Sequence, residues 1–407
     1  MTEGQINVLT KERYTIMTKA IQPAERLSLV QEYYFSRKLK EVAQMNAEGK
    51  DIISLAIGSP DMPPSVQTVE RLCEVARQPS AHGYQPTMGT PELRGAMAAF
   101  YRRWYGVELN PATEVLPLIG SKEGILHVTL AFCNIGDEVL VPNPGYPTYT
   151  SLSRLLGTKV VNYNLREDNE WQPDFDELEH IDLSRVKLMW TNYPNMPTGG
   201  RAMMKTYERL VDFAQRRGIV VVNDNPYSFI LNEKPISLMQ VDGAKDYCIE
   251  FNSLSKSHNM PGWRVGMCIS NKEFISWILK VKSNIDSGTF RGIQLAAADA
   301  LTTNSEEWHK EANVALYRRR RDIAEQIMTT LGCTFDASQQ GLFLWGKIPS
   351  RYTNCEELTE RVLHEARVFI TPGFIFGSNG ERYVRISLCA TEEKMKEALE
   401  RIKKITK

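Results

Sequence analysis

The most informative segment of the chain runs from residue 247 to residue 266 and reads Tyr247-Cys-Ile-Glu-Phe-Asn-Ser-Leu-Ser-Lys-Ser-His-Asn-Met-Pro-Gly-Trp-Arg-Val-Gly266. Its apolar start predicts a buried strand, and the turn that follows carries Ser253, Ser255 and Lys256, with Arg264 further on. An amine is nucleophilic only when neutral, so Lys256 needs a depressed pKa or an existing imine bond. Two hydroxyl groups and a planar guanidinium suit a phosphate dianion. The segment therefore predicts a site for a phosphorylated aldehyde, although an exposed loop lysine is the simpler interpretation of the lysine alone.

Short apolar runs on both sides of this segment predict a large sheet. Seven such runs occupy residues 115–118, 138–141, 159–163, 186–190, 219–222, 247–251 and 265–269. Amphipathic stretches separate several of them, such as residues 206–217. This alternation is typical of an α/β domain with a mostly parallel seven-stranded sheet flanked by helices. Ligands bind such sheets beyond the carboxyl ends of the strands, so polar residues just after a strand are the candidates for function.

The two ends of the chain predict a smaller α+β domain. Helical spacing over residues 25–47 predicts one amphipathic helix, and a strand is expected at 51–57. The last hundred residues predict a long helix around 308–328, strands at 341–345 and 383–387, and a final helix. We expect an N-terminal arm over 1–24, a small domain from 25–65 and 300–407, and a large cofactor-binding domain over 66–299. The arginine run 318–321 is interpreted as a solvated helix face, not as a nucleic-acid site.

An aspartate follows one of the buried runs. Residues 219–227 read Ile-Val-Val-Val-Asn-Asp-Asn-Pro-Tyr, which puts Asp224 at the carboxyl end of a strand. A carboxylate there could keep a pyridine nitrogen protonated, and Tyr227 could reach a ring hydroxyl or the lysine. Taken alone, the pattern equally describes an aspartate that caps a turn.

Two further turns follow predicted strands. In residues 116–124, Gly120, Ser121 and Lys122 would leave backbone N–H groups at a helix N-terminus free for an anion. In residues 142–149, Tyr146 follows a strand end and could stack on a flat ring, or simply pack in a proline-rich turn. Each turn is generic on its own.

Together these segments resemble the class I and II aminotransferases, the pyridoxal-phosphate enzymes of the aspartate aminotransferase fold, from about Ala24 onwards. The 253–266 segment is specific to that family when joined to Asp224 and Arg385 at these separations. The resemblance implies pyridoxal 5'-phosphate as the cofactor, with an amino acid and a 2-oxo acid as substrates. Residues 119–124 and 282–288 are most similar to the group that contains LL-diaminopimelate, alanine and aspartate aminotransferases, whose shared scaffold serves several amino acids.

The resemblance implies a role for each matching position. Lys256 would bond the cofactor's aldehyde as an imine, while Arg385 and the backbone of Gly58 would hold the substrate α-carboxylate. The other cofactor contacts are implied at Tyr84, Gly120, Ser121, Lys122, Tyr146, Asp224, Tyr227, Ser253, Ser255 and Arg264. Tyr84 would reach the phosphate in the neighbouring subunit, which implies a homodimer with shared active sites.

One position departs from the family pattern. The family usually reads Asn-Pro-Thr-Gly, with an asparagine that donates to the ring oxygen of the cofactor, whereas residues 193–199 place Met196 there. Methionine cannot donate a hydrogen bond, so we expect the pKa of the imine to rise. The role is not transferred to Asn195. Arg291 is interpreted as a structural surface residue and His258 as a residue oriented by its turn.

The composition excludes several other classes of protein. The 407 residues include 49 basic and 49 acidic side chains, a balance that argues against a dedicated nucleic-acid or anionic-membrane binder. No apolar run approaches the roughly 18 residues that a membrane span needs. Seven scattered cysteines without a CxxC pair, and a start without a signal pattern, predict a cytoplasmic protein with free thiols. The six histidines lack metal-ligand spacing, so no metal is expected.

The sequence therefore predicts a pyridoxal-phosphate aminotransferase in which Lys256 also moves the substrate's α-proton. A β- or γ-eliminating lyase on the same fold is the alternative, because Met196 alters a cofactor contact. A non-catalytic cofactor-binding regulator ranks last, since the segment before Ala24 is too short for an added DNA-binding domain. The preferred amino donor and acceptor stay open.

Overall fold

The computed structural model describes residues 21–30 and 34–406 and has an α/β fold. The strands are β1 (Ile53–Ser54), β2 (Val115–Leu118), β3 (Glu138–Asn143), β4 (Lys159–Asn164), β5 (Val186–Thr191), β6 (Val220–Asp224), β7 (Cys248–Ser253), β8 (Gly266–Ile269), β9 (Phe343–Lys347), β10 (Val368–Phe369), β11 (Thr371–Pro372) and β12 (Tyr383–Ser387). The helices are α1 (Tyr34–Ala47), α2 (Val66–Ala76), α3 (Pro91–Tyr105), α4 (Ser121–Phe132), α5 (Pro147–Leu155), α6 (Phe175–Glu179), α7 (Met204–Arg217), α8 (Ala244–Tyr247), α9 (Leu254–Ser257), α10 (Lys272–Lys282), α11 (Arg291–Thr303), α12 (Glu306–His309), α13 (Leu316–Leu331), α14 (Cys355–Ala366) and α15 (Glu392–Ile405).

The large sheet contains all seven predicted strands, in the order β2-β8-β7-β6-β5-β3-β4. Six of them run parallel, and β8 is antiparallel to both of its neighbours. Successive residues of β6 show why the strands are almost continuously apolar: Val221 belongs to the core on one face and Val222 to the core on the other. Helices cover both faces, with Phe213 of α7 in the first core and Ile125 of α4 in the second. The predicted fold class is confirmed.

Two small sheets join segments from both ends of the chain. β1 pairs in parallel with β10, so Ile53 lies opposite Val368. β12 pairs antiparallel with both β9 and β11. These pairings bring the N-terminal and C-terminal segments together, as the predicted small domain requires, while its boundaries at 25–65 and 300–407 stay a prediction. Most of the proposed arm, residues 1–20, lies outside the described residues.

The N-terminal expectations were wrong in detail. The helix predicted over 25–47 is interrupted: residues Glu25–Leu29 form a 3-10 turn, Val30 is extended, and the described part of α1 spans Tyr34–Ala47. The apolar spacing alone did not reveal that Val30 leaves the helical conformation. The strand predicted over 51–57 is reduced to two residues, because its partner β10 offers only two residues for pairing.

The arginine run on α13 is not the solvated face that the sequence predicted. Arg318 and Arg319 are exposed, but Arg320 and Arg321 are buried. Arg320 makes a two-point ion pair with Asp61, at 2.7 and 2.9 Å, and donates to the Leu388 carbonyl. Arg321 pairs with Glu325 at 2.8 Å and donates to carbonyls in the loop that precedes β9. Half of the run therefore ties α13 to its neighbours, since adjacent helical residues point in different directions.

Two further observations concern the whole described chain. Within residues 21–30 and 34–406, no helix is both long and apolar enough to span a bilayer. All seven cysteines are unpaired, and five of them are buried.

Candidate active site

A cavity of about 450 Å³ opens at the carboxyl edge of the large sheet. The segments after β2, β5, β6 and β7 meet there, and antiparallel β8 contributes the residues before its amino end. This is where parallel sheets bind ligands, and the volume is within the usual range for a small-molecule site. The predicted site residues that line the cavity are Gly58, Ser121, Lys122, Tyr146, Asp224, Tyr227, Ser253, Ser255, Lys256, Arg264 and Arg385.

Lys256 lies in the single-turn helix α9, directly after the end of β7. Its Nζ donates a hydrogen bond of 2.5 Å to the Gly58 carbonyl. Burial lowers the pKa of Lys256, and the nearby guanidinium groups of Arg264 and Arg385 act in the same direction. A buried amine with a lowered pKa is the chemical form that a nucleophile or a general base requires.

Gly58 lies close to Phe343 in the lining of the cavity. A Cβ at residue 58 would collide with the Phe343 ring, so only glycine permits this approach. The close packing also holds the Gly58 carbonyl within reach of Lys256.

Asp224 occupies the end of β6, and its side chain is buried. Tyr149 donates a hydrogen bond of 3.0 Å to Oδ2, while Oδ1 has no hydrogen-bond partner among the described residues. Burial raises the pKa of Asp224 to about 6, although the hydrogen bond from Tyr149 and the nearby Ser121 hydroxyl oppose the shift. Asp224 lines the cavity, and a buried carboxylate with one oxygen left without a partner can accept a hydrogen bond from a cationic or N–H group.

The turn after β2 and the turn before β8 pack against each other to form a cradle for an anion. Gly120 has a positive φ of 80°, and a Cβ there would collide with the Arg264 guanidinium. A Cβ on Gly266 would lie 2.7 Å from the backbone nitrogen of Ser121. The N-terminus of α4 has no side-chain cap, so its first N–H groups remain available next to Arg264 and Ser255.

Arg385 lies in the middle of β12 and is only 4% exposed. It donates to the Ala56 carbonyl at 2.9 Å, and its Nη1 is 3.2 Å from the Met196 sulfur. The guanidinium carbon lies 3.8 Å from the centre of the Phe343 ring and 4.6 Å from that of Phe376. Contact with two aromatic rings restricts the movement of the guanidinium, which favours two-point binding of a carboxylate.

Two of the predicted site residues, Tyr84 and Gly120, are not part of the cavity lining. The side chain of Tyr84 is 95% exposed. The loop that carries it is nevertheless packed, because a Cβ on Gly288 would lie 2.6 Å from the Gln85 carbonyl. Gly120 shapes the turn that contains Ser121.

Several residues of the site were not predicted from the sequence. Tyr149 is the hydrogen-bond donor to Asp224, and Asn192 donates to the Asp224 backbone carbonyl at 2.5 Å. Phe343 and Phe376 enclose Arg385. For Tyr149, its place three residues after Tyr146 in the same predicted turn was an available signal. The two phenylalanines come from distant segments and carried no local signal.

The remaining residues singled out by the sequence lie away from the cavity. His258 contacts Ser257 through Nδ1 at 2.8 Å and stacks near Trp308, and burial lowers its pKa. Arg291 pairs with Glu92 at 3.1 Å. Asn195 accepts from the Thr198 hydroxyl at 2.7 Å and does not contact the cavity.

A buried ion cluster lies behind the anion cradle. Glu123, His127 and Asp286 place ligand-type atoms within 4.8 Å of one another. Lys282 already contributes the positive charge, because its Nζ is 2.8 Å from Glu123 and 2.5 Å from Asp286. The ammonium thereby connects the first turn of α4 to the segment that follows α10.

Comparisons with known proteins agree on one family. The family model described as aminotransferase class I and II matches residues 50–402. LL-diaminopimelate aminotransferase of Dehalococcoides mccartyi is 41% identical over 381 residues, which cover 93% of this chain and 97% of that protein. The solved structure of substrate-bound BacF from Bacillus subtilis is 36% identical with a TM-score of 0.89, covering 95% and 98% of the two chains. A mutant aspartate aminotransferase of Thermus thermophilus is 26% identical with a TM-score of 0.88, covering 95% and 100%.

Proposed function

The chain belongs to the class I and II aminotransferases and is an aminotransferase, and from that premise we propose that it uses pyridoxal 5'-phosphate bound at Lys256 to move an amino group between an amino acid and a 2-oxo acid. One observation carries the proposal. A single cavity is lined both by a buried lysine with a lowered pKa and by a buried carboxylate that has one oxygen without a partner among the described residues. The lyase and the non-catalytic interpretations are set aside, because the family finding names amino-group transfer.

The residues of the cavity fit this cofactor chemically. Asp224 Oδ1 is buried without a partner among the described residues, which suits a protonated pyridine nitrogen. The uncapped N-terminus of α4, with Ser121, Ser253, Ser255 and Arg264, suits a phosphate dianion. Tyr146 would pack on the ring and Tyr227 would reach its oxygen. Lys122 and Gly120 shape the same turn.

Lys256 has two tasks under this proposal. When bound, pyridoxal phosphate supplies an aldehyde carbon and a ring that withdraws electrons from the α-carbon of the amino acid. Lys256 would bond that aldehyde in the resting enzyme, and its freed Nζ would take the proton from the α-carbon of the amino acid and deliver it to the aldehyde-derived carbon of the cofactor. The lowered pKa favours the neutral amine for both tasks.

Arg385 and the surrounding backbone would orient the substrate. The guanidinium would donate two hydrogen bonds to the α-carboxylate, and its close contact with Phe343 and Phe376 limits its movement. Met196 contacts the same guanidinium through sulfur and offers the cofactor's ring oxygen no donor. Tyr227 would then be the phenol left to donate there.

The exposed Tyr84 supports a homodimer with shared sites. A tyrosine held outward by a packed loop exposes a large apolar ring to water, which a partner subunit would cover. In that arrangement Tyr84 of each chain would complete the phosphate site of the other. Sedimentation of the purified protein tests the dimer directly.

The proposed bond to Lys256 is tested by trapping it. Borohydride reduction of the protein loaded with pyridoxal phosphate, followed by peptide mass spectrometry, is expected to find the added mass on Lys256. Lys256→Ala is expected to lose the visible absorbance of the lysine-bound cofactor and all measurable amino-group transfer. Lys245→Ala is the matched control, since Lys245 pairs with Glu114 at the surface, away from the cavity. Trapping on another lysine, or transfer retained in Lys256→Ala, would contradict the proposal.

A further inference from the structure

The buried ion cluster behind the anion cradle centres on Lys282, the last residue of α10. Lys282 is 2% exposed, and its Nζ lies 2.8 Å from Glu123 and 2.5 Å from Asp286. A buried ammonium loses the water that would solvate it, and the two carboxylates offset that loss. Removal of the ammonium would therefore leave two negative charges unbalanced inside the protein.

One of these carboxylates, Glu123, belongs to the first turn of α4, the helix whose uncapped N-terminus forms part of the anion cradle. Its neighbours in that turn, Ser121 and Lys122, line the cavity. Burial raises the pKa of Glu123, but hydrogen bonds with His127 and Lys282 outweigh that effect and lower it. A carboxylate is thus held in the same turn that would receive a phosphate dianion, and like charges repel each other.

Lys282 also lies next to the other half of the anion cradle. Lys282 and Arg264 line the same small cavity, whose walls also include residues 117–118 at the end of β2. On the other side of the ammonium, Asp286 accepts a hydrogen bond of 3.0 Å from the Gly288 N–H through its second oxygen. The ammonium is therefore fixed between the cradle and the segment that follows α10, and it cannot turn out to water without breaking both ion pairs.

We propose that Lys282 is a positioning residue for the cofactor phosphate, which neutralises Glu123 and so keeps the N-terminus of α4 available to a dianion. This inference rests on the proposed function, because it takes pyridoxal phosphate as the ligand of the anion cradle. Lys282 is not part of the cavity lining and acts through Glu123. Without the ammonium, the carboxylate of Glu123 would repel the phosphate and compete with it for the positive end of the helix.

Two aldehydes that differ in the phosphate measure this role. Pyridoxal phosphate and pyridoxal both carry the aldehyde that would bond Lys256, but pyridoxal has a hydroxyl group in place of the phosphate ester. Each is titrated into the full-length protein freed of cofactor, and the visible absorbance of the lysine-bound form gives a dissociation constant. We call the ratio of the pyridoxal constant to the pyridoxal phosphate constant the phosphate preference. A variant whose fold is merely loosened binds both aldehydes less tightly and keeps the same ratio, whereas loss of phosphate positioning lowers it.

Lys282→Met removes the ammonium and keeps a long buried side chain. We expect the phosphate preference to fall by about tenfold to a hundredfold, because an unneutralised carboxylate then lies beside the phosphate. Lys38→Met is the matched control. Lys38 is 8% exposed, pairs with Glu41 at 2.8 Å and Glu360 at 2.6 Å, and lies on α1, outside the cradle. Its replacement should leave the phosphate preference unchanged.

Glu123→Gln tests the same neutralisation with a change of opposite sign. The amide oxygen can still accept a hydrogen bond from Lys282, while the negative charge beside the cradle is removed. We expect the phosphate preference to rise by about threefold to tenfold. The double variant Lys282→Met/Glu123→Gln should recover the preference of the parent to within about threefold, because the two effects are coupled. These two variants decide the question even where Lys282→Met alone fails to fold.

The outcomes separate this inference from the proposed function. If Lys282→Met weakens both aldehydes equally, or if Glu123→Gln does not raise the phosphate preference, the inference is overturned while the cofactor bond at Lys256 stands. A folded double variant that shows no recovery overturns it as well. If neither pyridoxal phosphate nor pyridoxal gives visible absorbance with the parent protein, the proposed function itself has failed.

Discussion

Two buried carboxylates lie on neighbouring strands of the large sheet and differ in how many hydrogen bonds they accept. Glu250 on β7 pairs in register with Asn223, one residue before Asp224 on β6. Glu250 accepts four hydrogen bonds, from Tyr101 at 2.9 Å, Ser237 at 2.6 Å, Asn223 at 3.1 Å and the Leu238 backbone at 2.9 Å. Asp224 accepts one such bond, from Tyr149, and leaves Oδ1 bare.

The difference separates a structural carboxylate from a functional one. Burial raises the pKa of both groups, so the shift alone does not distinguish them. The number of donors does: four donors satisfy both oxygens of Glu250, whereas Asp224 lines the cavity and has one oxygen without a donor among the described residues. An unsatisfied buried group costs stability and is retained where a ligand completes it.

The largest effect is expected from Asp224→Asn, measured as the rate of amino-group transfer. The amide cannot carry the negative charge that would hold the ring nitrogen protonated, so we expect kcat to fall by about 10³-fold, the upper range for loss of one preorganised electrostatic contact. The folded apoprotein should be no less stable than the parent. A kcat within tenfold of the parent would show that Asp224 lacks the proposed role.

Glu250→Gln makes the same chemical change on the neighbouring strand and should have the opposite outcome. Its amide NH₂ would face hydrogen-bond donors, so we expect the free energy of unfolding to fall by about 3 kcal/mol. Denaturant titration measures this loss, and kcat of the protein that remains folded should change by less than about threefold. A large loss of kcat with intact stability would contradict the comparison.

The pH dependence of apoprotein stability sharpens the contrast. The pKa of Asp224 is about 6 in the folded chain against 3.8 in the unfolded chain. Between these values the folded state binds more protons, so its stability falls as pH rises from about 4 to about 6, by at most about 3 kcal/mol. Asp224→Asn lacks this contribution. The difference in unfolding free energy between variant and parent should therefore grow over that interval and level off above it, and parallel curves would refute the shift.

The smallest effect is expected from Tyr149→Phe. The substitution removes the hydrogen bond to Asp224 but keeps the ring that stacks on Trp190 with centroids 5.1 Å apart. One hydrogen bond is worth about 1 kcal/mol, so kcat should fall by roughly fivefold. Tyr163→Phe is the control, since it removes a buried hydrogen bond to the Trp190 carbonyl on the same sheet without touching Asp224. Equal kcat losses in the two variants would remove Tyr149 from the comparison.

The sequence predicted the sheet better than the chain ends. Strands buried on both faces are nearly continuous in apolar residues, and this pattern located all seven despite shifts at their ends. The helix predicted over 25–47 failed, because apolar spacing does not show where the backbone leaves the helix at Val30. The burial of Arg320 also could not be predicted, because its ion-pair partner Asp61 is distant in the sequence and no local pattern connects the two residues.

The residues of the candidate site also divide into those that the local sequence predicted and those that it did not. Residues just after strands, such as Asp224, Lys256 and Ser121, were predictable because the carboxyl ends of parallel strands meet at one edge. Phe343 and Phe376 were not, since they reach Arg385 from separate segments of the chain. Nor could the sequence reveal that hydrogen bonds satisfy both carboxylate oxygens of Glu250 but only one of Asp224. That difference depends on which donor groups the fold places next to each carboxylate.

The exposure of Tyr84 implies that activity would depend on protein concentration through dimer formation. Under the proposed dimer, a separated chain has its lysine, its aspartate and its carboxylate clamp, but an incomplete phosphate site. Specific activity would then depend on protein concentration and decline on dilution below the dimer dissociation constant. Cofactor, by binding the paired chains more tightly than the single ones, would in turn hold the subunits together. Specific activity and the fraction of chains in dimers would thus depend on the same association equilibrium.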